Sequence, residues 1–233
     1  TISQIEFEEA IERVIAGPEL KSRLINKDEK RIIAYHEAGH AVVMNTLPDS
    51  DPVQKVSIIP RGMAGGYTLA LPTEDRVLMA KKKLLAEMIG LMGGRAAEEA
   101  VFDDITSGAS NDIERVTKLA RTMVTRLGMS DLMGPMVYGQ KEELIFLGRE
   151  ISEQRDYSEA VAEQIDQEVR KLVGESYQKA QEILKNFRTE LDAVATKLLE
   201  VETLSREEFE KIFPPPEPKR TGIPMLNGGN GTH

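Results

Sequence analysis

The 233-residue sequence has no cysteine and only three histidines. Without cysteine, disulfides and thiolate metal sites are excluded, and folding does not depend on an oxidising compartment. No apolar run approaches the roughly 18 residues that a membrane-spanning helix needs. No signal-peptide pattern opens the chain either. Basic residues are in the minority, 30 against 39 acids, for a formal charge of -9. Nucleic-acid binding, which needs a basic face for phosphates, is therefore not expected.

What is present is ordinary for a soluble globular fold: 40% hydrophobic and 30% charged residues. The length suffices for one large domain or two small ones with a buried core. The first residue is Thr1, from which we expect a piece of a longer protein.

Helical spacing of Ile5, Ala10, Ile11 and Val14 follows a capping-box pair, Ser3 and Glu6, and stops at Gly17-Pro18. Positions 1–25 read as the terminal helix of a preceding domain and its connector. Asn26 and Glu29 mark a second helix start, and that helix ends before Pro48. Positions 54–59 and 66–71, separated by Pro60-Arg61-Gly62, read as two antiparallel strands.

The helical period returns from Thr73, breaks near Gly93-Gly94 and resumes through Val101; another helix runs over 110–127 to Gly128. Positions 129–149 are irregular, with short extended pieces at 136–138 and 144–147. A long amphipathic pattern over 158–200 predicts two helices in an antiparallel hairpin. Ser205 with Glu208 caps a last short helix. Beyond Phe213 the Pro-rich and Gly/Asn-rich positions 214–233 are expected to be disordered. The fold class is mostly α with a small β-sheet (α+β), and 26–213 forms one domain.

The chemistry is carried by His36-Glu37-Ala38-Gly39-His40, an H-E-x-x-H match. Residues four apart on a helix share a face. Two imidazoles so placed can both reach one tetrahedral zinc ion at about 2.0–2.1 Å. Glu37, one step round the helix, is set to serve a water rather than the metal, as a general base. Ala34, Ala38, Gly39, Ala41, Val42 and Val43 make this the most apolar stretch of the helix, so the histidines should face inward. Buried rings need partners. Gly65-Gly66-Tyr67-Thr68-Leu69-Ala70 reads as a strand permitting close backbone approach; Gly66, Tyr67, Thr68 and Leu69 are candidates for pairing with an extended substrate. A plain structural hairpin is the competing reading.

Ala34-Tyr35-His36-Glu37-Ala38-Gly39-His40-Ala41 resembles the metal-binding helix of the FtsH family of AAA ATP-dependent zinc metalloproteases. Val56-Ser57-Ile58-Ile59-Pro60-Arg61-Gly62, Gly93-Gly94-Arg95-Ala96-Ala97-Glu98-Glu99, Thr106-Ser107-Gly108-Ala109-Ser110-Asn111-Asp112 and Gly128-Met129-Ser130 agree in order. The resemblance implies a helical zinc metallopeptidase domain following an ATPase module in a homohexameric ring. It further implies a membrane anchor elsewhere, with this domain on the cytoplasmic or equivalent organelle side, acting on unfolded or membrane proteins. ATP would bind the missing ATPase: no G-x-x-x-x-G-K-[ST] loop occurs here. By the same resemblance, Glu98 is expected to bond the free nitrogen of a zinc-ligating histidine.

A catalytic zinc takes three protein ligands. His233 falls in the tail and no cysteine exists, so the third is expected to be a carboxylate. Glu98, Glu99 and Glu114 are candidates, with Asp112 the rival. Asp112 is preferred because it follows the Gly108-Ala109-Ser110-Asn111 turn at a helix start, and because the resemblance puts the family's aspartate ligand there. Two other readings compete: a structural, zinc-stapled oligomerisation module without catalysis, and a metal-free helical adaptor.

Overall fold

The computed structural model describes residues 26–61, 64–72, 77–139 and 157–219. The expected N-terminal helix, the extended piece at 144–147 and positions 220–233 lie outside them. Seven helices and three short strands occur among the described residues.

Helix α1, Lys27–Thr46, begins where Asn26 accepts the Glu29 backbone N–H at 2.7 Å. Asp28 and Glu29 in its first turn complement the positive end of the helix. Every residue from Ala34 to Val43 is buried. A helix covered on all sides is a central one, and α1 is the element around which the others pack.

Strands β1, Val53–Ser57, and β2, Tyr67–Ala70, pair antiparallel with Val56 opposite Thr68. A third strand, β3 (Thr203–Ser205), completes the sheet on the other side of β1, giving the order β2-β1-β3. This strand was not expected from sequence: three residues are too few for an alternation to show.

Helix α2, Lys81–Leu91, and helix α3, Gly93–Phe102, are separated by a break at Met92. The helix expected from Thr73 therefore begins later: Val77 to Ala80 are not helical, and positions 73–76 lie outside the described residues. Asp103 in the left-handed conformation ends α3. A single 3₁₀ turn, Ser107–Ala109, leads into α4, Ser110–Thr125. Gly128, with φ of 58°, turns the chain out of α4. No strand forms at 136–138; that loop is pinned instead by Ser130, whose hydroxyl donates to Glu168 at 2.6 Å.

The two C-terminal helices are α5, Glu159–Asn186, capped by Ser158, and α6, Arg188–Val201. They meet at the single non-helical residue Phe187. Their packing goes mainly elsewhere: α5 lies on α3 and α4, and α6 lies on α1. Helix α7, Arg206–Ile212, starts with the full capping box of Ser205 and Glu208. Residues 214–219, expected to open the disordered tail, are described. There the Lys219 ammonium donates to the Met44, Asn45 and Leu47 carbonyls at 2.6, 2.8 and 2.9 Å.

The closest approach is between α1 and α3. A Cβ on Gly39 would stand 2.5 Å from both the Gly93 carbonyl oxygen and the Ala97 Cβ. Backbone cannot yield there, so Gly39→Ala should destabilise the protein by about 1–3 kcal/mol. Gly174, exposed in mid-α5 with nothing within 4 Å of an added Cβ, is the contrast. Gly174→Ala should stabilise by about 0.5–1 kcal/mol through helix propensity. Urea unfolding of both variants measures the two signs.

Candidate metal centre

His36 and His40 stack on one face of α1 with their Nε2 atoms 3.0 Å apart. Each ring is oriented by its other nitrogen. His40 Nδ1 lies 2.8 Å from the Gly90 carbonyl, which can only accept, so Nδ1 carries the hydrogen. His36 Nδ1 lies 2.6 Å from Glu98 Oε1. Glu98 is itself 1% exposed, and its other oxygen accepts the Thr106 backbone N–H at 2.7 Å. Burial opposes its charge, but the bonds from His36 and Thr106 win and hold its carboxyl below the usual range.

With both Nδ1 atoms donating outward, both Nε2 lone pairs point into one space. Asp112 enters it from the first turn of α4, its Oδ2 3.4 Å from His36 Nε2 and 3.3 Å from His40 Nε2. The three ligating atoms lie within 4.8 Å of one another, the one such group among the described residues. Burial works against the Asp112 charge as well, yet its contacts with the two imidazoles hold its carboxyl well below normal.

Two nitrogen lone pairs facing each other at this distance need a cation between or beside them. In the metal-free chain that cation is a proton. Burial lowers the His36 pKa, but the Asp112 and Glu98 bonds and the Glu37 charge outweigh it and push it up to about 10. The donor set of two imidazole nitrogens and one carboxylate oxygen also suits a tetrahedral divalent metal with one open position.

Of the other expected candidates, Glu98 bonds the far side of His36 and does not join the cluster. Glu99 lies away from it, accepting hydrogen bonds from Tyr177 and Gln181. Glu114 lines the same cleft without reaching the nitrogens.

Glu37 is buried but outside the ligand group. Burial raises its pKa, opposed by the two histidines and by Thr68. The Thr68 hydroxyl donates to Glu37 Oε2 at 2.9 Å. Gly66 leaves room for this carboxylate: a Cβ there would stand 2.9 Å from Glu37 Cγ and 2.7 Å from the Ser57 carbonyl oxygen. Gly66, Tyr67, Thr68 and Leu69 all line the cleft in front of the cluster. β2 forms an edge of the sheet. The Tyr67 ring stacks under the Arg61 guanidinium at 5.4 Å.

Three contributors were not foreseen from sequence. The Gly90 carbonyl carries no sequence signal, because any residue has one. Gly94 does carry one: a Cβ there would fall 2.4 Å from His36 Nε2 and 2.6 Å from His40 Nε2. The Gly93-Gly94 pair does stand at the helix interruption expected there, and it also lets α3 pass close against the imidazoles. The Thr106 amide is likewise invisible in sequence.

A buried helix thus carries two converging imidazoles, with a carboxylate from a second helix among them and a glutamate beside the group, a set of side chains that could hold a metal ion. The model of peptidase family M41 matches residues 23–212, and the chain belongs to that family. It is 54% identical over 227 residues to "ATP-dependent zinc metalloprotease FtsH 1" of Thermomicrobium roseum, covering 97% of this chain and 35% of that protein. It is 57% identical over 213 residues to the FtsH of Pseudothermotoga lettingae and 55% to that of Thermotoga maritima, with 91% of this chain covered in each case. The chain spans about a third of the length of these relatives.

The raised His36 pKa has a thermodynamic consequence for chelator-treated protein. The folded state binds this proton more tightly than the unfolded imidazole, whose ordinary value is 6.5. The resulting stabilisation is complete below about pH 6.5 and is lost as the pH rises toward about 10. Denaturant unfolding at pH 7 and pH 10 should show this loss in the metal-free parent, and His36→Gln should lack that component.

Proposed function

We propose that this domain is a zinc endopeptidase, the proteolytic part of a longer ATP-dependent protease. The observation that carries the reading is the pair of Nε2 lone pairs turned on one point with Asp112 beside them. His36, His40 and Asp112 would hold zinc, and Glu98 and Gly90 would keep the two rings in the ligating tautomer. Zinc, when bound there, supplies Lewis acidity to a peptide carbonyl and lowers the pKa of water.

The rest of the chemistry belongs to the chain. Glu37 takes a proton from the attacking water and returns it to the departing amine. Its raised pKa suits both transfers, and the Thr68 hydroxyl holds the carboxylate in place between them. β2, an outer strand of the sheet among the described residues, would receive an extended peptide along Gly66 to Leu69, which line the cleft shared with the histidines. Because only an extended chain can pair in this way, the substrates are unfolded or translocated proteins, including membrane proteins.

Among the described residues no helix is long and apolar enough to cross a membrane. The reading assigns the membrane anchor, the ATPase that unfolds substrates and the homohexameric ring to the whole protein rather than to this sequence alone. A purely structural zinc staple would have no use for Glu37, which separates the two roles experimentally.

Glu37→Gln should retain zinc and fold while losing peptide hydrolysis by about 10²–10⁴-fold. Zinc content with casein hydrolysis measures this, and ordinary turnover by that variant would remove the general-base role.

Asp112→Ala should sharply lower zinc occupancy, whereas Glu98→Ala, which removes only an outer partner, should weaken affinity by about 10–100-fold. Chelator competition on both variants reads the order. The reverse ranking would transfer the ligand role from Asp112 to Glu98.

A further inference from the structure

Helix α1 has no basic residue in its last turn, and Pro48, which lacks an N–H, follows its C-cap Leu47. The last carbonyls of a helix need donors from elsewhere. Thr46 uses its hydroxyl on the Val42 carbonyl at 2.9 Å, and the Ser50 N–H reaches Leu47 at 3.1 Å. The remaining donors come from the far end of the sequence. An ammonium carries three N–H groups, and Lys219 gives them to Met44, Asn45 and Leu47 at 2.6, 2.8 and 2.9 Å. The buried Asn45 side chain donates in turn to the Phe213 carbonyl at 2.8 Å. The segment from Phe213 to Lys219 is thus tied at both ends to the C-terminus of the helix that bears the histidines.

Met44 connects this tie to the metal centre. It lies one turn beyond His40 on the same face and lines the same cleft. A Cβ on Gly90 would stand 2.9 Å from Met44 Cγ, so the Met44 side chain rests on Gly90. The Gly90 carbonyl is the group that receives His40 Nδ1.

We infer that Lys219 is a positioning residue of the metal centre: its ammonium fixes the last turn of α1 and, through Met44 on Gly90, the carbonyl that orients His40. The match to the family model ends at residue 212, so this contact comes from beyond the matched region. The inference rests on the zinc reading proposed above.

The test uses the full 233-residue chain with Lys219→Met and Lys219→Arg. Two readouts are taken: the zinc dissociation constant by chelator competition, and solvent exchange of the His40 Nδ1–H by NMR on metal-free protein. Lys219→Met should weaken zinc binding about tenfold, the lower end for an outer partner, and speed the His40 exchange by about the same factor. Lys219→Arg, which restores charge and donors, should recover at least half of each effect on a logarithmic scale.

Met44→Ala leaves the backbone carbonyl for Lys219 but removes the side chain on Gly90. It should loosen His40 equally, and it serves if Lys219→Met fails to fold. Unchanged zinc affinity and unchanged His40 exchange in a folded Lys219→Met chain would overturn the inference. So would faster amide exchange confined to 44–47, which would leave Lys219 a helix cap alone. If the parent chain binds no zinc, the metal reading fails, while the exchange measurement on metal-free protein still decides the role of Lys219.

Discussion

Two imidazole nitrogens held 3.0 Å apart with their lone pairs converging form the constraint on which the site depends. Neither ring is free to turn away. Turning His40 would take its ring donor from the Gly90 carbonyl, and turning His36 would leave Oε1 of Glu98, a carboxylate that is 1% exposed, without its donor. A buried acceptor left without its donor costs about 1–3 kcal/mol, and more when it is charged. Each outer bond therefore keeps a hydrogen on Nδ1, so that the two inner nitrogens are left to share a cation, which is a proton in the metal-free chain.

That arrangement demands helices packed closer than side chains normally permit. The Gly39–Gly93 contact sets the separation of α1 and α3, and Gly94 brings bare backbone over the imidazole edge. Glycine in a helix interior costs about 0.5–1 kcal/mol relative to alanine; Gly39 sits in mid-α1, while Gly93 and Gly94 open α3 at the same crossing. The small residues Ala96 and Ala97, both fully buried, continue the close seam along α3. The Met92 break between α2 and α3 serves the same geometry. The end of α2 contributes the Gly90 carbonyl to one histidine, and α3 contributes Glu98 to the other.

Features with a local cause were legible in the sequence. The Asn26 and Ser205 caps, the pairing of β1 with β2, the turn at Gly128 and the helix-face spacing of His36 and His40 each follow from a few neighbouring residues. Asp112 was preferred for its helix-start position together with the family resemblance, and that position does bring its short side chain to α1. What stayed hidden was non-local. β3 exists because residues far along the chain return to cover the open side of β1, and nothing within Thr203, Leu204 and Ser205 demands it. The backbone groups of Gly90 and Thr106 are acceptor and donor in every sequence, so their selection depends on tertiary packing alone. Lys219 was hidden for a different reason. Its proline-rich surroundings cannot form a core, yet one ammonium needs only three open carbonyls to dock.

The charges around the histidines explain why Glu37 can differ in behaviour from its neighbours. Glu98 and Asp112 are held ionised by donors that bond them directly, whereas Glu37 receives only the Thr68 hydroxyl and is otherwise surrounded by buried groups. Burial therefore wins at Glu37 and loses at the other two, so three carboxylates within one cleft are driven in opposite directions. In the zinc reading proposed above, two fixed negative charges would balance a bound dication, and the third carboxyl would be left able to gain and lose a proton without disturbing that balance. The same separation of roles follows from helix geometry: residues 36 and 40 share a face, and residue 37 is turned toward β2. The strand that carries Thr68 is also an outer strand of the sheet, so the hydroxyl that holds the Glu37 carboxylate lies on the strand proposed above to receive an extended chain.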